Sequence, residues 1–92
     1  MFLKWLRSLR DIQAAARIQI RVDRLALGNP GDVKAVGEGV SEMRVDYGPG
    51  YRVYFTRRGN TVVLLLCGGD KRSPKADILS AQKMAREFEH GS

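Results

Sequence analysis

Cysteine occurs once in the 92 residues, at Cys67, so the chain cannot close an internal disulfide. That scarcity argues against a small secreted scaffold and for a reducing cytoplasm. Histidine is also single, at His90 near the end of the chain, where fraying is expected. One His and one Cys do not make a zinc site. A Cys–His nucleophilic pair is disfavoured as well, because Cys67 closes an apolar stretch and packs there. Long hydrophobic runs are missing: VVLLLC at 62–67 is far short of the about 20 residues that span a bilayer. The N-terminus MFLKWLRSLR is interrupted by Lys4 and Arg7, unlike a signal peptide. The glycine-rich GNPGDVKAVGEG neither follows a strand nor fits G-x-x-x-x-G-K-[ST], so no nucleotide cradle is read there. Asp32, Glu38, Glu42 and Asp46 lack cation-binding spacing. These exclusions leave one soluble cytoplasmic domain over 1–92, with no metal, no cofactor and no membrane partner.

What the chain has is positive charge, in blocks. The net charge is +6, and the apolar fraction of 43% suits a globular protein. Residues 1–28 carry +4, 29–50 carry −2, 51–75 carry +5 and 76–92 carry −1. Two basic blocks around an acidic one suggest a face for a polyanion.

Helical periodicity runs through the first 28 residues, with Phe2, Leu6 and Leu9 on one face and Ile18, Val22 and Leu25 on another. Asp11 is placed to cap a second helix and Gly28 to stop it, giving a hairpin over 2–10 and 12–27. Arg17, Arg21 and Arg24 form a basic stripe beside the apolar one, either a solvated face or a surface for phosphates or an acidic partner. Residues 28–41 read as an ordered loop. From Glu42 the period becomes two. Met43, Val45 and Tyr47 oppose Glu42, Arg44 and Asp46; after GPG, Tyr51, Val53 and Phe55 oppose Arg52, Tyr54 and Thr56. RRGN at 57–60 makes a turn, with Gly59-Asn60 suited to positive φ. TVVLLLC at 61–67 is apolar on both faces, as a central or doubly covered strand is. Ser73 and Pro74 start a last helix, whose inward face is Ile78, Ala81, Ala85 and Phe88. The fold class is α+β: two N-terminal helices on one face of a small antiparallel sheet of three main strands, then a C-terminal helix.

If GPG closes a hairpin with Tyr47 facing Tyr51, then Asp46 faces Arg52 and Arg44 faces Tyr54. Arg44, Arg52 and Tyr54 then share the open face, with Lys71 and Arg72 leaning over it. Such a cluster suits a phosphodiester and a stacked base. The competing reading is an exposed Arg52–Asp46 pair, worth about 0–1 kcal/mol.

GNPGDVKAVGEGVSEMR, GPGYRVYF and LLLCGGDK followed by a helix containing DI, with FLKWLRSLRD near the start, resemble the RelE/ParE toxin superfamily. The HigB-like addiction-module killers are the most similar branch, over residues 2–88. The resemblance implies a RelE-like fold and the toxin of a type II toxin–antitoxin system. It implies a ribosome-dependent, metal-independent mRNA endonuclease, in which the ribose 2′-hydroxyl attacks the adjacent phosphate. The family's strand arginine falls on Arg52, its preceding basic residue on Arg44, and its basic pair on Lys71 and Arg72. Tyr54, Arg57, Arg58, Lys75 and Lys34 are then the RNA-binding candidates. The Tyr or His that several members place near the C-terminus is replaced by ADILSAQ, which leaves Asp77 and Glu42 as acid–base candidates. Partners implied are the ribosome, mRNA and a HigA-like or similar antitoxin. The alternatives are a gyrase inhibitor of the ParE type, and an inactive toxin or plain nucleic-acid-binding module.

Overall fold

The computed structural model describes residues 2–59 and 62–91, with the side chains of residues 58, 62 and 89–91 left out of the description. Asn60 of the expected turn, Thr61 of the expected strand and the side chains of Arg58 and His90 therefore lie outside the described residues. The elements are α1 (Phe2–Ser8), α2 (Ile12–Ala26), β1 (Val33–Gly37), β2 (Val40–Val45), β3 (Tyr51–Arg58), β4 (Val62–Asp70) and α3 (Pro74–Gly91). No described helix is long and apolar enough to cross a membrane.

Both ends of α2 form as their residues dictate. The Asp11 carboxylate accepts from the amides of Gln13 and Ala14 at 3.0 and 3.2 Å, satisfying donors the first turn leaves free. At the other end Gly28 takes φ +88°, its amide donates to the Leu25 carbonyl, and the Asn29 amide donates to Arg24. That pair of bonds is a Schellman stop, for which Gly is suited because it has no Cβ.

Four strands, not three, form an antiparallel sheet in the order β1-β2-β3-β4. The added strand, β1, lies within the stretch read as a loop. Val33 and Val36 are its only half-buried residues and the strand is an edge, so its apolar signal is weak. Its turn to β2 uses Glu38 and Gly39, both at positive φ, as a two-residue hairpin turn requires. Glu38 is held there by Arg86 of α3, whose Nη1 donates to Oε2 at 2.6 Å.

Helices cover both faces of the sheet, which corrects the expectation of one covered and one open face. Phe2, Ile18 and Leu25 pack with Met43, Val45, Tyr51, Val53 and Phe55 on one side. Ala81 and Ala85 of α3 pack with Val40, Tyr54, Leu66 and Cys67 on the other. Phe88, expected to face inward, is 41% exposed. The strand β4 is doubly covered but lies at the edge rather than the centre. A bulge sets Tyr54 opposite Cys67 and Phe55 opposite Leu65, so Leu66 joins Cys67 under α3.

Two glycines let the helices close on β4. A Cβ on Gly68 would run into the Trp5 ring of α1, and one on Gly69 into the Asp77 carboxylate of α3. The GGD sequence is therefore where helices from both layers touch one strand's backbone.

Candidate functional site

Register decides what the site contains. β2 and β3 pair with Val45 opposite Tyr51, Arg44 opposite Arg52 and Glu42 opposite Tyr54. This differs by two residues from a Tyr47–Tyr51 pairing. An even slip keeps every side chain on its face but changes its partner. The shift arises because Tyr47 leaves the ladder: its amide donates to the Val45 carbonyl and its carbonyl accepts from the Gly50 amide, both at 3.0 Å. Its ring lies 4.7 Å beneath the Arg17 guanidinium of α2, so the hairpin loop spans 46–50. Asp46 therefore does not face Arg52.

Two rows of residues cross the face beneath α3. Lys34, Glu42, Tyr54 and Cys67 are successive cross-strand partners; beside them run Arg44, Arg52 and Gly69. Like charges directly opposite, as in Arg44 and Arg52, repel. The Glu42 carboxylate offsets this. Oε1 accepts from Arg44 Nε at 3.3 Å and lies 3.6 Å from Arg52 Nε, while Oε2 accepts from the Tyr54 hydroxyl at 3.2 Å. The Glu42 side chain is only 5% exposed. A carboxylate so buried requires partners of this kind.

Tyr54 is fully buried, so it is not available to stack a base, contrary to the expectation from an open face. Burial first, then the neighbouring Glu42 charge, pushes its phenol well above the ordinary value. Glu42 is likewise enclosed by donors rather than presented to a ligand.

Arg52 is held differently from Arg44. The Arg44 side chain is 47% exposed and that of Arg52 22%. Arg52 Nη1 is buried and has no hydrogen-bond partner among the described residues. Around it stand two carboxylates. Asp70 is held below the usual range mainly by hydrogen bonds from Arg72, with Arg52 adding to the effect. Asp77, in the first turn of α3, is pushed up chiefly by burial, against a hydrogen bond from Ser73 and the pull of Arg52. Asp70 is not among the residues expected from the sequence; it follows Gly69, the cross-strand partner of Arg52, and itself pairs with Tyr51.

The remaining candidates divide by position. Arg72 is exposed and folds back on Asp70, with Nη2 2.9 Å from Oδ2. Lys71 is exposed just after β4 and Lys75 in the first turn of α3, and Lys34 is exposed opposite Glu42. Arg57 is exposed near the far end of β3, about 16 Å along the strand from Arg52. The Arg58 backbone lies beyond it, so neither belongs to the row at Arg52. Cys67 is buried, its thiol pushed up to about 11, and is inert at neutral pH. Among the described residues no three His, Cys, Asp or Glu side chains gather as metal ligands would. A cleft of about 260 Å³ opens beside the arginine pair, with Asp32, Asp46, Gly50 and Tyr51 in its walls. The site offers two adjacent guanidiniums, with a carboxyl whose pKa burial raises close by. Such a set binds and polarises an oxyanion.

The chain belongs to the family of phage-derived Gp49-like proteins (DUF891), whose model matches residues 4–88. That is a toxin–antitoxin toxin family related to RelE-type toxins. The chain is 45% identical over 87 residues to an uncharacterised protein of Haemophilus influenzae, covering 95% of this chain and 88% of that protein. No solved structure matches the chain significantly.

Proposed function

We propose that this protein is the toxin of a toxin–antitoxin pair and a metal-independent endoribonuclease acting on mRNA at the ribosome. The observation that carries the reading is the pairing of Arg44 with Arg52 beside a cleft, on a buried carboxylate that fixes both. In the proposed reaction the ribose 2′-oxygen bonds to the adjacent phosphorus as the bond to the 5′-oxygen breaks. Arg44 and Arg52 hold the non-bridging oxygens as their charge grows. Donors placed for such a charge contribute about 10²–10³ in rate each. Asp77, which stands near Arg52 and whose pKa burial raises, is assigned as the proton donor to the departing 5′-oxygen. The proton of the 2′-hydroxyl passes to solvent or to an ionised carboxylate, for which Asp70 is nearer the surface than Glu42. Lys71, Arg72, Lys75 and Lys34 add positive charge around the cleft, and an antitoxin covers this basic surface between uses.

The test is Arg52→Ala, expressed without antitoxin, with growth and transcript 5′ ends both followed. Growth arrest and new transcript ends should both disappear while the purified variant keeps its fold. A folded Arg52→Ala protein of undiminished toxicity rejects the assignment.

One observation favours a second reading. Tyr54, the aromatic expected to stack a base, is fully buried. A protein without that contact fits a non-enzymatic inhibitor of DNA gyrase, and fold alone does not choose between them. Gyrase-dependent DNA breaks made by the purified protein, with mRNA intact in a translating extract, would select it.

A further inference from the structure

The arginine stripe of α2 has a place in the fold that its sequence position does not reveal. Arg17, Arg21 and Arg24 line a second cleft of about 270 Å³, floored by Val45, Asp46 and Tyr47 at the end of β2. Val45 and Asp46 are also walls of the cleft at Arg44 and Arg52. The two hollows therefore share two wall residues at one strand end, and a groove through both would run from the arginine pair to α2.

The stripe is not one uniform solvated face. Arg21 is a tether: Nη1 donates to the Arg44 carbonyl at 2.8 Å and Nη2 to the Pro30 carbonyl at 3.0 Å. It fastens α2 to the backbone of the residue that opens the other cleft. Arg17 lies over the Tyr47 ring, which fixes its guanidinium against the groove wall. Arg24 is exposed in the last turn of the helix. Two carboxylates, Asp32 and Asp46, face five guanidiniums along the combined length. The balance is strongly positive, and an arginine at each end is free to meet an oxyanion.

We infer that this groove is a second binding segment for single-stranded RNA, in which Arg17 and Arg24 hold phosphates flanking the one at Arg44 and Arg52. Arg17 and Arg24 are two helical turns apart, about 10.5 Å along the axis. That length matches about three nucleotides at roughly 3.4 Å per nucleotide of a stacked strand. A strand entering here reaches the arginine pair without leaving positive surface. Continuity with that pair favours RNA over an acidic protein segment, which would need no passage between the two clefts. The inference rests on the proposed ribonuclease reading and adds the direction from which substrate arrives.

The experiment measures binding of a 12-nucleotide RNA, made uncleavable by 2′-O-methylation throughout, to the full chain over a salt series. Single-strand binding loses about 0.7 of slope in log K against log salt for each phosphate contact removed. Arg17→Gln/Arg24→Gln should therefore flatten the slope by about 1.4 with an unchanged melting temperature. The charge-matched control Lys4→Gln/Lys83→Gln should leave the slope as it is. An Arg17→Gln/Arg24→Gln slope equal to wild type overturns the inference. So does an unchanged slope combined with lost capture of co-expressed antitoxin, which would assign the stripe to a protein partner. Failure of the ribonuclease reading would look different: Arg52→Ala would stay toxic whatever the α2 variant does to the slope.

Discussion

Glu42 is the residue whose replacement separates a positioning role from a catalytic one. Glu42→Gln keeps the side chain's size and an acceptor for the Tyr54 hydroxyl, but removes the charge joining two opposed guanidiniums. Breaking a fully buried ion pair costs about 3–5 kcal/mol. Here the Arg44 side chain is 47% exposed and that of Arg52 22% exposed, so water takes back part of the loss. The expected destabilisation is about 1–3 kcal/mol. With m about 1 kcal/mol/M for a chain of this size, the urea midpoint falls by about 1–3 M. Adding Arg52→Gln to Glu42→Gln should cost less than the sum of the single changes, with a coupling of at least about 0.5 kcal/mol. Equilibrium urea unfolding of the four proteins measures this. A Glu42→Gln protein as stable as wild type, yet without RNA cleavage, would refute the reasoning and make Glu42 a general base instead.

Two further changes test the packing and the electrostatics around the site. Gly68→Ala places a methyl group in the Trp5 ring and should cost about 1–3 kcal/mol. At about 4–8 °C per kcal/mol that is visible in a melting curve. Trp5→Leu in the same chain should recover part of the loss. Asp77→Asn tests the raised carboxyl. With its folded pKa above the ordinary 3.8, the native state binds more protons than the unfolded one in between, so Asp77 favours folding below 3.8 and loses that contribution as pH rises through its folded value. The variant should therefore gain in melting temperature relative to wild type at pH 7 and not at pH 3; an equal difference at both would discard the shift.

The α+β class, both ends of α2 and the start of α3 were legible because each rests on local chemistry: Asp11 as acceptor, Gly28 at positive φ, Ser73–Pro74 as an opening. The side-chain faces of β2 and β3 were legible for the same reason, since alternation survives an even slip. The partners were not. Whether Arg52 faces Asp46 or Arg44 depends on where Tyr47 goes, and its ring is drawn to Arg17, thirty positions away in sequence. The strand β1 leaves little trace in the sequence, because an edge with two half-buried valines carries a weak apolar signal and Glu-Gly is a weak hairpin dipeptide. The burial of Tyr54 is not legible in the sequence, because alternation identifies two faces without telling which of them a later helix will cover. Pairing Arg44 with Arg52 brought the expected cations together, while Arg57 went to the other end of the same strand.

The unpartnered Nη1 of Arg52 ties the fold to the proposed chemistry in energetic terms. A buried donor left without an acceptor costs about 1–3 kcal/mol. Glu42 does not relieve it: its oxygens meet the Nε atoms of Arg44 and Arg52 and the Tyr54 hydroxyl, not Nη1. Asp70 is occupied by Arg72, and Asp77 Oδ2 accepts from the Ser73 hydroxyl. An anionic oxygen arriving at the cleft would meet the accessible part of a guanidinium that is already oriented, and would reach the shielded Nη1 only if the side chain turned. Little side-chain ordering would then be charged against binding, because the buried carboxylate has ordered both arginines before any ligand arrives. On this account Glu42 never needs to touch the substrate: it keeps two like charges adjacent at a spacing they would otherwise leave.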